Sequence, residues 1–357
     1  MQRILRKVCD CWVLKMLVND ELISILRDSL LGATEIEKRL LNKTIESVSI
    51  SKVIVSPNAE PSLKLRRIIE DNSGILSSEM IKGFESCEIY LIDEPICNAF
   101  ATQKNGNKII VFDGLLQVIR FYINLIKISH LFNLFEPEKQ DEADDFLTAG
   151  FALLIDFIQT GEDLPEIKDL LPPDFESEAK IGFSASVLFV LCHEVAHLIL
   201  GHTKATYRSE RRLGSLRLDE TEKEEKTIEF EADEYAFFAI NEDLRDFFIS
   251  SIVFFLGAVA FAETFCSAKK DSHPLAANRI ARLVDFVRFS DDPQARQATF
   301  DVIEGELNRY RRLSDYRKIY TENGLEQIKE IMPIIEARSI FNRVLKTIKS
   351  KSYFSRN

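Results

Sequence analysis

The chain has 357 residues, of which 46% are hydrophobic, and this is enough for one large domain or two ordinary ones with a substantial core. Its formal net charge of −11 argues against a protein that follows the phosphates of nucleic acids, so we predict no general nucleic-acid binding. The six cysteines form no CxxC pair, which is typical of a protein of the reducing cytoplasm.

Two apolar segments resemble membrane or export signals. The first one begins basic and becomes apolar near the N-terminus, but Asp10 and Lys15 interrupt it and no small-residue cleavage site follows. The second one, from Phe247 to Ala262, is shorter than the roughly 20 residues that span a bilayer. We therefore predict an N-terminal amphipathic helix, no transmembrane segment and a cytoplasmic location.

The first third of the chain is predicted to combine helices with short strands. The periodicity favours helix over 1–45, a strand over 47–57 and helical or irregular chain over 58–82. Alternating apolar residues predict three further strands, and Asn105-Gly106 is typical of a turn between the last two. These strands are EIYLID at 88–93, NAFATQ at 98–103 and KIIVFD at 108–113.

Long helices are predicted for most of the remaining chain, so the predicted fold class is α+β and predominantly helical. The acidic stretch 136–145 and the proline-containing stretch 161–182 are predicted connections. The charged stretch 203–226 is predicted to be an exposed loop, with a flap over a site as the alternative. The predicted helices are 114–135, a helix that ends near 159, 184–202, 226–241, 244–268, 275–289 and a helical C-terminal region.

The segment His193-Glu194-Val195-Ala196-His197 has the pattern HExxH within an otherwise apolar helix. Residues four apart share one face of a helix, so both imidazoles can bind one metal ion. Glu194 lies about 100° round the helix, where its carboxylate can act as general base on a metal-bound water. Histidines and a glutamate in such an apolar segment are costly without a partner, and a metal ion supplies one.

A catalytic zinc ion needs a third protein ligand. Leu200 and Thr203 occupy the positions where a metzincin has Gly and His, which excludes that class. If the helix continues, His202 lies about 140° away from the face of His193 and His197. We therefore predict that His202 is a helix-end residue bonded to a backbone carbonyl.

The predicted third ligand is Glu229, in the segment TIEFEADEYAF. Glu229 and Asp233 are four residues apart and share a helix face, so Asp233 can accept the outer N–H of a ligand histidine. Glu231 is two residues away and points elsewhere. A merely solvated acidic helix is the alternative interpretation, but the neighbouring Ala236 and Phe237 indicate a packed face.

His273 precedes Pro274, which is favourable in the first turn of the next predicted helix. An imidazole held at a helix start can donate to the oxyanion of a tetrahedral intermediate. Simple helix capping is an equally good interpretation of His273 from the spacing alone.

Four blocks of the sequence follow the order found in a known family. They are NAF at 98–100 with GLL at 114–116, HEVAHLILGH at 193–202, Glu229 with Asp233, and His273-Pro274 with Arg279. Over roughly residues 85–290 the chain thus resembles the zinc metallopeptidases of the HtpX and CAAX-prenyl-endopeptidase family, a gluzincin family numbered forty-eight. A likeness that rests on fewer blocks is to the Lit-type phage-exclusion peptidases.

The resemblance implies a zincin-like core in which a small β-sheet lies beside the HExxH helix. It implies a metallopeptidase domain over 85–290, between an N-terminal helical or mixed region, 1–84, and a C-terminal helical extension, 291–357. Asn98 would then contact the substrate backbone near the scissile bond, with the sheet edge pairing with an extended peptide. His273 would contact the substrate from the other side.

These expectations combine into a soluble zinc endopeptidase with one Zn²⁺ per chain and a protein or peptide substrate. His193, His197 and Glu229 are the predicted ligands and Glu194 is the predicted general base. Asp233 and Arg279 are predicted to lie behind the ligands. The likeness to the Lit-type peptidases suggests a role in stress or phage defence. The alternative is a non-catalytic zinc-containing interaction or sensor module, which a fourth protein ligand would favour.

Overall fold

The computed structural model describes most of the chain beyond residue 57. The described residues are 58, 60–135, 138, 140–167, 171–203, 218–265, 276–286, 293–294, 296–305, 308 and 334–350. The helix predicted over 1–45, the strand predicted over 47–57 and His273 lie outside the described residues. The same holds for 204–217, the greater part of the predicted loop or flap.

The described chain is predominantly helical with one small sheet, which confirms the α+β class. Short 3-10 helices occur at Ser73–Ile75 and Glu242–Leu244, and residues 296–305 are also helical. The helices are α1 (Glu60–Asp71), α2 (Ser78–Glu85), α3 (Asp113–Phe135), α4 (Gln140–Thr160), α5 (Pro173–Ile199), α6 (Leu218–Phe238), α7 (Arg245–Phe265), α8 (Ala276–Val284) and the C-terminal helix Ile334–Ser350.

The sheet contains the three predicted strands, β1 (Glu88–Ile92), β2 (Ala99–Thr102) and β3 (Lys108–Phe112). Their order is β1-β3-β2, with β1 parallel and β2 antiparallel to the central strand β3. The predicted turn is confirmed, since Asn105 and Gly106 take the positive φ angles of 54° and 107° that this pair favours. Strand β2 is half-buried along its length and forms one edge of the sheet.

Helix α3 starts directly after β3, and Gly114 explains how it can do so. A Cβ atom at Gly114 would lie 2.4 Å from the backbone carbon of Pro95 and 2.5 Å from the nitrogen of Ile96. A side chain at residue 114 is therefore incompatible with the path of the chain between β1 and β2.

Helix α5, which carries the HExxH motif, begins earlier than predicted. The stretch 161–182 was predicted to be a connection, but the helix starts at Pro173, so the prediction is wrong for 173–182. Proline is favourable in the first turn because the N–H that it lacks has no partner there, and Asp174 and Glu176 interact well with the helix dipole.

Two other charged stretches are also more helical than predicted. Helix α4 begins at Gln140, within the acidic stretch predicted to be a connection, and has Asp141 and Glu142 in its first turn. Helix α6 begins at Leu218, although 203–226 was predicted to be a loop. Its first half is rich in Glu and Lys, which have high helix propensity even without an apolar stripe.

Helix α5 lies at the centre of the described structure. It packs against α1, α2, α3, α6 and α7 and against strand β2. By length and composition it is the one described helix that could cross a membrane, but 72% of its apolar window is buried inside the protein, as in a core helix. One cluster of buried residues extends from Leu65 in α1 to Phe341 in the C-terminal helix, so described parts of all three predicted regions share a core.

Candidate metal centre

The site is built on the last two turns of α5, where the helix is buried on nearly every side. His193 and Glu194 are each only 7% exposed, and apolar neighbours such as Val195 and Ala196 are fully buried. Polar groups in such a position cost free energy unless they have partners. The structure supplies those partners from helix α6, which packs along α5.

Three side chains form a group that can hold a metal ion: His193, His197 and Glu229. The Nε2 atoms of the two histidines are 3.0 Å apart. The carboxylate oxygens of Glu229 lie 3.3 Å from His193 Nε2 and 3.5 Å from His197 Nε2. Donors around a tetrahedral ion with bonds of about 2.0–2.1 Å are separated by about 3.3 Å, so the three side chains fit such an ion.

Helix α6 presents Glu229 and Asp233 on one buried face, one turn apart, as their spacing predicts. Glu229 is 9% and Asp233 1% exposed. The neighbouring Ala232 and Ala236 are fully buried. Their small side chains allow α6 to approach α5 closely enough for both carboxylates to reach the histidines.

Asp233 lies behind His193, on the side away from Glu229. Its Oδ1 atom is 2.9 Å from His193 Nδ1, a contact distance, although the angle at the hydrogen does not meet hydrogen-bond geometry. Arg279, from α8, donates from Nε and Nη2 to the two oxygens of Asp233, both at 2.7 Å. The structure therefore brings Arg279 into the site through a bidentate ion pair that is almost fully buried.

The pKa values of the two candidate ligand histidines are shifted in opposite directions. Burial alone would lower the pKa of His193, but Asp233 and Glu229 outweigh burial and raise it to about 10. Burial and the neighbouring His193 lower the pKa of His197 to about 3. Burial alone would raise the pKa of Asp233, but Arg279 and His193 hold it below its ordinary value.

His202 has side-chain partners that the sequence did not predict. It is 4% exposed, and its Nδ1 atom lies 3.0 Å from Nδ1 of His197, while its Nε2 lies 3.2 Å from Glu231 Oε2. His202 does lie just past the helix end and its N–H donates to the His197 carbonyl at 2.9 Å, but its side-chain contacts were not predicted. Glu231 points away from the candidate metal group, as predicted, but its contact with His202 was not foreseen.

The remaining predicted residues are less directly connected to the group. Asn98 is exposed and immediately precedes edge strand β2, and its carbonyl oxygen accepts a hydrogen bond from the Phe112 N–H. Because β2 packs against α5, Asn98 lies beside the motif helix without a described contact to the candidate ligands. His273 lies outside the described residues, and its predicted role stays a prediction.

Together these features define a predominantly helical protein with a buried candidate metal centre on two packed helices. A family model described as Peptidase U49 matches residues 117–299, just over half of the chain. The chain therefore belongs to this Lit-like peptidase family. A search of the curated proteins and a search of the solved structures found no match.

The family match favours the second of the two resemblances drawn from the sequence. The matched region includes the HExxH segment, Glu229, Asp233 and Arg279, so the whole described site lies within it. The sheet and Asn98 lie outside it. Membership of the HtpX family and the predicted domain boundaries stay predictions.

Proposed function

We propose that this peptidase is a zinc-dependent endopeptidase with a zincin-like core. The observation that carries the proposal is the group of three donors, His193, His197 and Glu229, at separations of 3.0–3.5 Å, with His193 and Glu229 buried and His197 nearly so. Two imidazoles and one carboxylate are the ligand set of several catalytic zinc sites, which keep one position open for water or substrate. When bound, zinc would polarise the scissile carbonyl and lower the pKa of a coordinated water.

Glu194 is the proposed general base. It follows a ligand histidine directly, so its side chain leaves the helix about 100° from the ligand face and can approach the reacting water without binding the metal. Its low exposure keeps it in a poorly solvated environment, in which charge interactions are stronger than in water. It would accept the proton of the attacking water and donate it to the leaving amine.

Asp233 and Arg279 act in this proposal by orienting His193. The carboxylate of Asp233, 2.9 Å from His193 Nδ1, would accept the Nδ1–H once the ring turns to align it, and so favour the tautomer whose Nε2 faces Glu229. Arg279 neutralises Asp233, which lets a charged carboxylate remain in an almost fully buried position. We further propose His273 as an oxyanion donor, on the basis of its predicted position at a helix start and of the sequence resemblance.

The proposed substrate is an extended segment of a protein or peptide. Strand β2 offers a half-exposed sheet edge, and this edge packs beside the helix that carries His193 and Glu194. An extended peptide can pair with such an edge through its main chain, which would pass it near the reacting groups. Asn98, exposed at the start of β2, is proposed to contact its backbone.

The alternative, a structural or sensory zinc site, calls for four protein ligands. Among the described residues the group has three members. His202 contacts the outer nitrogen of His197 and does not join the donor group. We therefore favour catalysis over the alternative, and we propose a cytoplasmic enzyme of stress or phage defence on the basis of composition and the Lit-like family.

The test compares wild-type protein with Glu194→Gln in cells that express each at the same level. New protein N-termini are identified by mass spectrometry, and zinc is measured in the purified proteins. Glu162→Gln, an exposed substitution of the same type in the α4–α5 connection, serves as the control. We expect wild type and the control to produce fragments that are absent with Glu194→Gln, while all three bind zinc. A zinc-loaded Glu194→Gln protein that produces the same fragments contradicts the proposal.

A further inference from the structure

We propose that His202 and Glu231 are positioning residues that fix the tautomer and ring orientation of His197 through a chain of hydrogen bonds. His197 is the ligand whose outer nitrogen Asp233 does not reach. The inference rests on the proposed zinc site, because it assigns a function to residues that contact a ligand and not the metal. Each ligand histidine would then have a separate partner at the ring nitrogen that faces away from the metal, Asp233 for His193 and His202 for His197.

The end of helix α5 explains why His202 lies next to His197. Leu200 is the C-cap, and Gly201 follows with a φ of 75°, a left-handed conformation that glycine adopts without strain. The N–H of Gly201 then donates to the carbonyl of Leu198 at 3.2 Å, and the N–H of His202 to the carbonyl of His197 at 2.9 Å. This pair of bonds is a Schellman motif, which turns the chain back over the last turn of the helix.

The direction of the hydrogen-bond chain follows from the proposed role of His197. A ligand nitrogen must carry a lone pair, so if His197 Nε2 faces the metal, its hydrogen is on Nδ1. That N–H, 3.0 Å from His202 Nδ1, requires His202 to accept there and to carry its own hydrogen on Nε2. His202 Nε2 lies 3.2 Å from a carboxylate oxygen of Glu231, which accepts it. Each atom has one consistent role.

The two outer partners of the donor group differ in their environment. The Asp233 carboxylate is almost fully buried and neutralised by Arg279. The His202 side chain is 3% exposed, but Glu231, at the end of its chain, is 43% exposed. Loss of Glu231 is therefore easily compensated by water, whereas loss of the His202 ring leaves a buried N–H of His197 without its acceptor. We expect His202 to contribute much more than Glu231.

The test measures zinc affinity by competition with a chromophoric chelator. We expect His202→Phe to weaken zinc binding about 10- to 100-fold, the usual effect of losing an outer partner of a ligand histidine. His202→Gln keeps an acceptor and a donor at similar reach, so binding should recover to within a few-fold of wild type. Glu231→Gln should weaken binding by less than about 10-fold. Glu234→Gln, an acid on the same helix that pairs with Arg282, is the control and should bind like wild type.

A second measurement detects the tautomer directly. Long-range proton–nitrogen NMR correlations of histidine-labelled, zinc-loaded protein should show His197 with its hydrogen on Nδ1 and His202 with its hydrogen on Nε2. Both assignments should hold in Glu234→Gln, and the slowly exchanging His197 N–H should become fast-exchanging in His202→Phe. A merely structural role for His202 would leave this exchange rate unchanged.

The outcomes separate the inference from the proposal on which it rests. If wild-type protein binds no zinc, the proposed function fails. If wild type binds zinc and folded His202→Phe binds it equally tightly, the positioning role is overturned. If His202→Phe does not fold, NMR of the zinc-loaded wild type decides: a hydrogen on Nε2 of His197 or on Nδ1 of His202 refutes the inference.

Discussion

The buried ion pair between Arg279 and Asp233 gives the clearest stability prediction. Arg279 is 6% and Asp233 1% exposed, and both bonds between them are 2.7 Å long. Replacing Arg279 by methionine removes the guanidinium but keeps an apolar stem, so the main effect is a buried carboxylate that keeps only the contact with His193 as compensation. Breaking such a pair costs about 3–5 kcal/mol. This agrees with about 4 kcal/mol for unit charges 4 Å apart at an effective dielectric constant of 20.

The assay is urea denaturation of the metal-free protein at pH 7, with the free energy of unfolding as the result. Arg282→Met is the matched control, because Arg282 is on the same helix and pairs with Glu234 on α6 in a partly exposed position. It should cost less than about 1 kcal/mol. Combining Arg279→Met with Asp233→Asn should destabilise less than the two single changes added together.

The effect of Arg279→Met should also depend on pH with a definite sign. The pKa of Asp233 is held below its ordinary value, so its contribution to stability is present above about pH 4 and is lost as pH falls through the folded-state pKa. The difference between wild type and Arg279→Met should shrink in acid. The reasoning is refuted if Arg279→Met destabilises no more than Arg282→Met at pH 7, or if the double change is simply additive.

Three further predictions concern the donor group and the cleft. Glu229→Gln should weaken zinc binding more than about 100-fold in chelator competition, since it removes a charged ligand and not only an outer partner; unchanged affinity would exclude Glu229 as a ligand. Zinc binding at pH 7 should release about one proton, because the pKa of His193 is raised to about 10 and that of His197 lowered to about 3. Calorimetry in two buffers of different ionisation enthalpy measures the number of protons released. The apparent zinc affinity should also rise as pH increases toward 10, and a zinc affinity that does not change with pH would contradict this prediction. Asn98→Ala should lower kcat/KM for a peptide substrate about 10-fold with unchanged zinc affinity. If kcat/KM equals that of wild type, Asn98 does not contact the substrate.

The parts of the site that follow from regular helix geometry could be predicted from the sequence. His193 with His197, and Glu229 with Asp233, are four residues apart, and a helix necessarily places each pair on one face. The α+β class followed in the same way, because alternating strands and an Asn-Gly turn have local signatures. That the face of His193 and His197 packs against the face of Glu229 and Asp233 was inferred from the third ligand that a catalytic zinc ion needs. The packing of α5 against α6 agrees with this inference.

The position of His202 could not be obtained by extending the helix. The prediction placed it about 140° off the ligand face, but α5 ends at Ile199 and the left-handed Gly201 reverses the chain. Glycine two residues past the last helical residue was the available signal for a Schellman motif. The contact of Arg279 with Asp233 depends on how α8 packs against α6, which no local pattern in either segment specifies.

The central claim is that His193, His197 and Glu229 hold zinc with one coordination position left open. X-ray absorption at the zinc edge of the purified full-length protein tests it most directly. We predict one zinc per chain, two imidazole nitrogens at about 2.0–2.1 Å, oxygen donors in the remaining positions and no sulfur. A third imidazole or a sulfur ligand at about 2.3 Å would show a different ligand set and contradict the claim.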